Sequence, residues 1–96
     1  MAEKFTPTLD LANSCAKRKE LWIEPWGDRI VFQAKQKLRV VAEGPAGNLG
    51  IDFTDETVTV YGWPGSTLSI HDGHQSLWSC SLAAPLLMPP AAEKRK

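Results

Sequence analysis

The sequence predicts an all-β domain, a small antiparallel sandwich or partly open barrel of six to eight short strands, with a jelly-roll arrangement among the compatible forms. The first observation is a run of alternating apolar and polar residues from Asn48 to Ile70. Successive side chains of a strand point to opposite faces, so this run buries one face and exposes the other. The second observation is that turn signals separate the apolar runs at intervals of about eight to twelve residues, as in sandwiches and barrels. The third is the length of 96 residues, which corresponds to one domain with a small core.

Residues 1–19 form the first predicted segment and allow two interpretations. In one, Thr8 or Asp10 caps a short helix that docks on the β domain through a single apolar stripe. In the other, the segment is a leader, because an isolated helix of this length is marginal in water. The apolar stripe of the predicted helix comprises Leu9, Ala12, Cys15 and Ala16.

Residues 20–83 form the predicted β domain, and its first three strands are recognised by apolar residues two positions apart. The first strand has Leu21 and Ile23 on one face and Trp22 on the other. It ends at the turn sequence Pro-Trp-Gly-Asp at 25–28, because Pro fixes φ and Gly allows a sharp reversal. The faces of the next two strands are set by Ile30 and Phe32 and by Leu38, Val40 and Ala42.

The remaining strands of the β domain come from the alternating run and from the residues after it. The last strand covers about 75–80 and places Leu77 and Trp78 on opposite faces. The turn before it, Asp72-Gly73, is the strongest hairpin signal in the chain, because a type I′ turn needs φ > 0 at both central residues. The three strands of the alternating run lie near 48–54, 57–61 and 66–71.

Residues 84–96 are predicted to be a Pro-rich tail that ends in charged residues. Proline cannot donate to a strand ladder, so the tail does not continue the sheet. The tail nevertheless contains the apolar residues Leu86, Leu87 and Met88. We therefore expect 84–90 to lie extended across its own domain or a neighbouring copy.

His71 and His74 are the candidate metal ligands, and the sequence contains no further histidine. A two-residue turn at Asp72-Gly73 places them opposite each other, with Cβ atoms roughly 5 Å apart. Two imidazoles can bind a divalent metal, but a protein metal site usually has three or four ligands. Asp72 is the one further ligand nearby in sequence. The favoured interpretation is a solvated hairpin tip without metal, and the sequence predicts no cofactor.

Four tryptophans in 96 residues are the best functional lead. Trp22 and Trp78 alternate with the aliphatic residues of their strands, and exposed aromatics on a β face act as interface anchors or sugar platforms. Packing in a second layer is an equal alternative for these two. For Trp26 and Trp63, which lie in turns, packing is favoured. The predicted binding or interface residues are Trp22, Trp78, Tyr61 and Trp63.

The net charge of zero conceals basic ends and an acidic middle. Segment 20–83 has four basic and eight acidic residues, and an acidic body repels phosphate backbones, so we expect no nucleic-acid partner. No apolar stretch approaches the length of a membrane span, and the first residues lack a signal-peptide pattern. Cys15 and Cys80 are too few for a disulfide framework. We expect a soluble cytoplasmic protein with reduced thiols and no membrane partner.

No residue cluster matches a catalytic motif, so the sequence does not define the function and predicts no catalytic residue. The best expectation is a small non-catalytic β module that self-associates or binds a protein partner. Open sheet edges and apolar residues on second faces favour a homo-oligomer. The first alternative is a module that binds carbohydrate or a small molecule through surface aromatics. The second alternative is a metal-dependent enzyme at His71 and His74.

Overall fold

The computed structural model describes residues 6–85 as an all-β fold of eight strands in two four-stranded sheets. The strands are β1 (Thr8–Ala12), β2 (Lys19–Glu24), β3 (Asp28–Phe32), β4 (Lys37–Glu43), β5 (Gly50–Phe53), β6 (Thr57–Tyr61), β7 (Thr67–Asp72) and β8 (Gln75–Ser79). The first sheet has the order β1-β4-β7-β8, and the second has the order β3-β2-β6-β5. The predicted all-β sandwich class is therefore confirmed.

The second sheet contains one parallel strand pair, whereas the sequence analysis predicted antiparallel pairing throughout. In that pair, β2 lies beside β6 with Trp22 opposite Thr59 and Ile23 opposite Val60. Parallel neighbours need a long crossover connection, and residues 25–56 provide it through β3, β4 and β5. All other strand pairs among residues 6–85 are antiparallel.

The N-terminal segment contains a strand, so the predicted short helix is wrong. Strand β1 pairs with β4 in the first sheet, with Leu11 opposite Leu38 and Asp10 opposite Arg39. Leu11 is buried in the core, and Asp10 lies on the outer side. The free edge of β4 supplies hydrogen-bond partners for the backbone of β1, whereas an isolated helix of this length is marginal in water because its nucleation is unfavourable.

One hydrophobic core lies between the two sheets, and alternate residues of the strands line it. The pattern is clearest in β4, where three buried residues are separated by exposed or half-buried ones. In β6 even the polar residue between two core valines, Thr59, is buried. The core comprises Leu11, Leu21, Ile23, Phe32, Leu38, Val40, Ala42, Val58, Val60, Trp63, Leu68 and Ile70.

The hairpin between β7 and β8 differs from the prediction by one residue. Asp72 pairs with Gln75, so the two turn residues are Gly73 and His74. Gly73 has φ of 60° while His74 does not have positive φ, which is the pattern of a type II′ turn with Gly in its first central position. The predicted type I′ turn at Asp72-Gly73 is therefore wrong.

A β-bulge in the same hairpin places Trp78 on the inner side. Ile70 pairs with Trp78 but His71 pairs with Ser76, so Leu77 is the extra residue on β8. Because Ile70 is a core residue, Trp78 lies in the inward phase and packs against the core. Simple alternation places Trp78 on the face opposite Leu77, with exposure and packing as equal alternatives; the bulge changes this phase, and Trp78 packs against the core.

The predicted tail is described only in its first two residues. Ala84 is buried and forms two backbone hydrogen bonds, from its N–H to the Ser66 carbonyl (2.7 Å) and from the Gly65 N–H to its carbonyl (3.0 Å). The chain therefore remains packed on the domain as far as this point. Residues 86–96, with most of the segment predicted to lie extended, fall outside the described residues.

Candidate functional site

The outer face of the second sheet carries two of the predicted binding residues, Trp22 and Tyr61, and both are half-buried. Trp22 is half-buried between the fully buried Leu21 and Ile23, so its indole points away from the core. Strand register aligns it with Arg29 on one side and Thr59 on the other. We call this surface the Trp22 face, and its residues are Glu20, Trp22, Glu24, Arg29, Val31, Asp52, Thr57, Thr59 and Tyr61.

Trp22, Arg29 and Glu20 form one cluster in which each side chain contacts the other two. The Arg29 guanidinium lies 5.1 Å from the centroid of the Trp22 ring, in cation–π geometry. Glu20 accepts a hydrogen bond from Trp22 Nε1 (3.1 Å) and forms an ion pair with Arg29 (3.3 Å). Each exposed contact of this kind contributes only about 0.5–1 kcal/mol, so the cluster mainly fixes the orientation of the indole and guanidinium.

The residues around the cluster add aromatic and aliphatic side chains to the face. Val31 lies directly opposite Glu20 on the edge strand β3 and is 44% exposed, which is unusual for a valine in a strand. Tyr61 is half-buried two residues beyond Thr59 on β6. Thr59 itself is 2% exposed although it lies on the outer side, so neighbouring side chains cover it. Aromatic and aliphatic side chains of this kind are typical of interface centres.

A cleft of about 430 Å³ lies at the end of the Trp22 face where β2 and β6 begin. The basic run 17–19 lines one side of it, and Glu56 and Thr57 line the other, together with Glu20 and Val31. The backbone hydrogen bond from Glu20 N–H to the Glu56 carbonyl (3.1 Å) ties these two sides together. Positive and negative charge therefore lie side by side at this end of the face.

Trp63 and Trp78, two of the four predicted interface residues, lie away from the Trp22 face. Trp63 is 5% exposed, and its Nε1 donates to the Pro45 carbonyl (2.6 Å), so its ring packs in the core. Trp78 is half-buried against the core, and its Nε1 donates to Asp28 Oδ2 (2.9 Å). Only Trp22 and Tyr61 of the predicted set lie on one common surface.

His71 and His74 are not opposite each other, so this part of the predicted metal geometry is wrong. His74 is exposed in the turn, whereas His71 pairs with Ser76 and exchanges a hydrogen bond between its Nε2 and Ser69 Oγ (2.8 Å). No group of three His, Cys, Asp or Glu residues within 6–85 has an arrangement suited to a metal ion. The hairpin therefore gives no geometric support to a metal site.

Arg29 and Asp52 are two charged residues of this face that the sequence analysis did not select as binding residues. Arg29 follows the turn at 25–28, and a hairpin around that turn would have placed it beside Trp22. Asp52 lies opposite Thr59 on β5 at the other edge of the sheet. Its position could not be derived, because it depends on the parallel pairing of β2 with β6.

Comparison of the chain with protein-family models, curated proteins and solved structures found no match. The site is therefore interpreted from its own geometry. In the part of the chain that the structure describes, no helix has the length and apolar character to cross a membrane.

Proposed function

We propose that this protein is a small non-catalytic β module that self-associates through the Trp22 face. The observation that carries the proposal is the Trp22 indole, held on the outer side of a sheet by Arg29 and Glu20 and flanked by the exposed Val31. Tryptophan, tyrosine and arginine are the residues that contribute most binding energy at protein interfaces. Because the cluster orders these side chains in the free chain, little conformational entropy is lost when a partner binds.

The alternative of a carbohydrate-binding module is less well supported by the same cluster. Sugar recognition by an aromatic ring needs an open ring face for stacking. The Arg29 guanidinium lies over the Trp22 ring, 5.1 Å from its centroid, and its ion pair with Glu20 retains it there. A sugar would have to displace this cation, whereas a protein surface can contact the indole edge and the guanidinium together.

We also propose that the protein acts in the cytoplasm, where thiols remain reduced. Cys15 and Cys80 are both free cysteines, and Cys15 is exposed. Cys80 Sγ accepts a hydrogen bond from the Leu68 backbone N–H (3.4 Å), an interaction that the reduced side chain makes within the fold. Detection of an intermolecular Cys15 disulfide in protein isolated under thiol-blocking conditions would contradict this location.

The test of the proposed function is the mass of the protein as a function of concentration. Sedimentation velocity between about 1 and 500 µM should show a transition from monomer to a symmetric oligomer, since a face of this size supports weak association. Trp22→Ala should abolish the transition. The matched control is Val41→Ala, which removes an apolar side chain from the outer side of the first sheet, where it lies between the core residues Val40 and Ala42. A monomer mass at every concentration would contradict the proposal, as would equal effects of the two substitutions.

A further inference from the structure

We infer that the partner on the Trp22 face is the same face of a second copy, related by a two-fold axis parallel to the strands, so that Arg29 of each copy meets the partner's Asp52. This inference rests on the proposed function, because it specifies how two copies would pack. It is drawn from the order of charged residues across one sheet. If two copies pack in this way, Arg29 and Asp52 at opposite edges of the sheet determine the specificity of self-association.

The charges lie at opposite edges of the Trp22 face. The register of the second sheet gives one row of side chains across it, in the order Arg29, Trp22, Thr59, Asp52. Arg29 is on the edge strand β3 and Asp52 is on the edge strand β5, three strand spacings or about 14 Å apart. Both residues are exposed, and Asp52 has no ion pair with any residue of 6–85. The row is therefore positive at one end, apolar in the middle and negative at the other end.

The order of the charges along this row favours one two-fold axis for face-to-face packing of two copies. An axis parallel to the strands reverses the strand order of the second copy, so that β3 faces the partner's β5 and β2 faces the partner's β6. Arg29 then lies against the partner's Asp52 at both ends of the row. An axis across the strands that runs along this row would instead place β3 on β3, with Arg29 against Arg29 and Asp52 against Asp52. Like charges placed in contact at an interface strongly oppose association, so the axis parallel to the strands is favoured.

The same axis also matches the centre of the face. With β2 over the partner's β6, the Trp22 ring of each copy lies over the partner's Thr59. Thr59 is 2% exposed, so it does not project from the face, and the indole meets the side chains that surround it. The two indoles lie on either side of the axis. This gives an apolar centre with charged pairs at its rim, which is the usual arrangement of protein interfaces.

The start of β2 and β6 provides a second charged match under this axis. Arg18 precedes β2, and the turn Asp55-Glu56 precedes β6, at the same end of the sheet because the two strands are parallel. When β2 faces the partner's β6, the basic run 17–19 faces the partner's acidic turn. The contact between the basic run and the acidic turn therefore favours the axis parallel to the strands, as the charges of Arg29 and Asp52 do.

Size and net charge indicate a weak but specific dimer. Four strands about 4.8 Å apart and four to six residues long give a face of roughly 20 Å by 17 Å. Such a face buries less than the ~800 Å² per partner of standard interfaces, so we expect a dissociation constant in the micromolar range. The formal net charge of the chain is +0 at pH 7, so two copies do not repel each other overall.

Charge reversal at the two edge residues tests the inference. Arg29→Asp and Asp52→Arg should each raise the dissociation constant of the dimer at least tenfold, because each places like charges in contact twice. The double variant Arg29→Asp/Asp52→Arg should return it to within about threefold of the original value. The matched control is Lys37→Asp, which changes charge equally on the first sheet and should leave the constant unchanged. Circular dichroism and thermal melts verify that each variant is folded.

A mixture of the two single variants gives an independent readout that does not require the double variant to fold. The Arg29→Asp chain and the Asp52→Arg chain should form a heterodimer at the original strength, while neither chain alone dimerises at that concentration. A dimer whose dissociation constant is unchanged by either charge reversal would overturn the inference alone. The same holds if each single variant dimerises more weakly and neither the double variant nor the mixture restores the original dissociation constant. A monomer at every concentration would overturn the proposed function together with it.

Discussion

Trp26 and Trp78 meet edge to face, with ring centroids 5.7 Å apart and an angle of 66° between the rings. Trp26 lies in the turn between β2 and β3 of the second sheet, and Trp78 lies on β8 of the first sheet. Each indole N–H also has an acceptor, the Leu82 carbonyl for Trp26 (2.8 Å) and Asp28 Oδ2 for Trp78 (2.9 Å). This pair therefore connects the two sheets at one end of the core.

Removal of one ring of this pair should destabilise the fold. Trp78→Ala should lower the free energy of unfolding by about 2–3 kcal/mol, somewhat less than for a fully buried tryptophan. Trp78→Phe keeps a ring but loses the hydrogen bond to Asp28, and should cost about 1 kcal/mol. Urea unfolding followed by circular dichroism measures both. Trp22→Ala on the outer face is the control and should cost less than Trp78→Ala, and the opposite order would contradict a bridging role.

Asn13 holds two loops together through its buried amide. Its Nδ2 donates to the carbonyls of Lys17 (2.9 Å), Phe32 (3.1 Å) and Gln33 (3.1 Å), and its Oδ1 accepts from the Cys15 N–H (3.1 Å). Asn13→Ala should lower the free energy of unfolding by about 2–3 kcal/mol, because these backbone groups lose their partner. Asn13→Asp should cost more at pH 7, since a carboxylate would face three carbonyl oxygens.

A neighbouring substitution controls for changes in the loop itself. Ser14 is exposed, and its side chain takes part in none of the hydrogen bonds of the Asn13 amide. Ser14→Ala should therefore change the free energy of unfolding by no more than about 0.5 kcal/mol. An Asn13→Asp variant as stable as the original protein at pH 7 would show that the amide is not required.

The N-terminal strand shows why part of the fold could not be predicted from the sequence. Leu9 and Leu11 alternate with Thr8 and Asp10, which is a strand pattern, but it is too short to outweigh an equally short helical stripe. Pairing with β4 decides between the two, and that is a tertiary effect. The strand Thr57–Tyr61, in contrast, was predicted with its observed bounds, because its alternation lies between clear turn signals.

Gly47 is needed because the Trp63 ring lies against its backbone. A methyl group at Gly47 would overlap the indole of Trp63. Gly47→Ala should lower the free energy of unfolding by about 1–3 kcal/mol. The Trp63 ring would have to shift away from the new methyl group, which distorts the hydrogen bond from Trp63 Nε1 to the Pro45 carbonyl. Gly50→Ala is the control, because its Cβ would lie 3.4 Å from Tyr61 Cβ, an ordinary contact. Equal losses for both substitutions would contradict this account.

The residues around Trp22 were predictable to different degrees. Alternation places Trp22 opposite Leu21 and Ile23, and the structure agrees. The position of Trp78 was missed, because the bulge at Leu77 reverses the phase of the strand and no residue type signals it. Asp52 was missed for a different reason, since pairing across a long crossover leaves no local pattern in the sequence.

Ala84 packs on the domain at the end of the described residues, and its contacts should contribute to stability. A protein ending at residue 85 keeps the hydrogen bonds of Ala84 with Ser66 and Gly65, whereas one ending at residue 83 loses both bonds and the buried methyl group of Ala84. The shorter protein should be less stable by about 1–2 kcal/mol. Thermal and urea unfolding of this matched pair measures the difference. Identical unfolding curves would show that the contact contributes nothing.

The ion pair between Asp10 and Arg39 should make stability depend on pH in the acid range. Arg39 donates to both carboxylate oxygens (2.8 and 3.3 Å), and this hydrogen bonding lowers the pKa of Asp10 below its ordinary value. A lowered pKa in the folded state stabilises the fold above the unfolded pKa of about 4, and the contribution is lost as the pH falls through the folded value. Asp10→Asn should therefore give a shallower decrease of unfolding free energy between pH 5 and 2, and 0.5 M NaCl should reduce the difference. The control is Asp52→Asn, which removes an exposed carboxylate on the other sheet, with both variants measured at a concentration at which the chain is monomeric. An equal change of slope in both variants would contradict a specific role for the Asp10 pair.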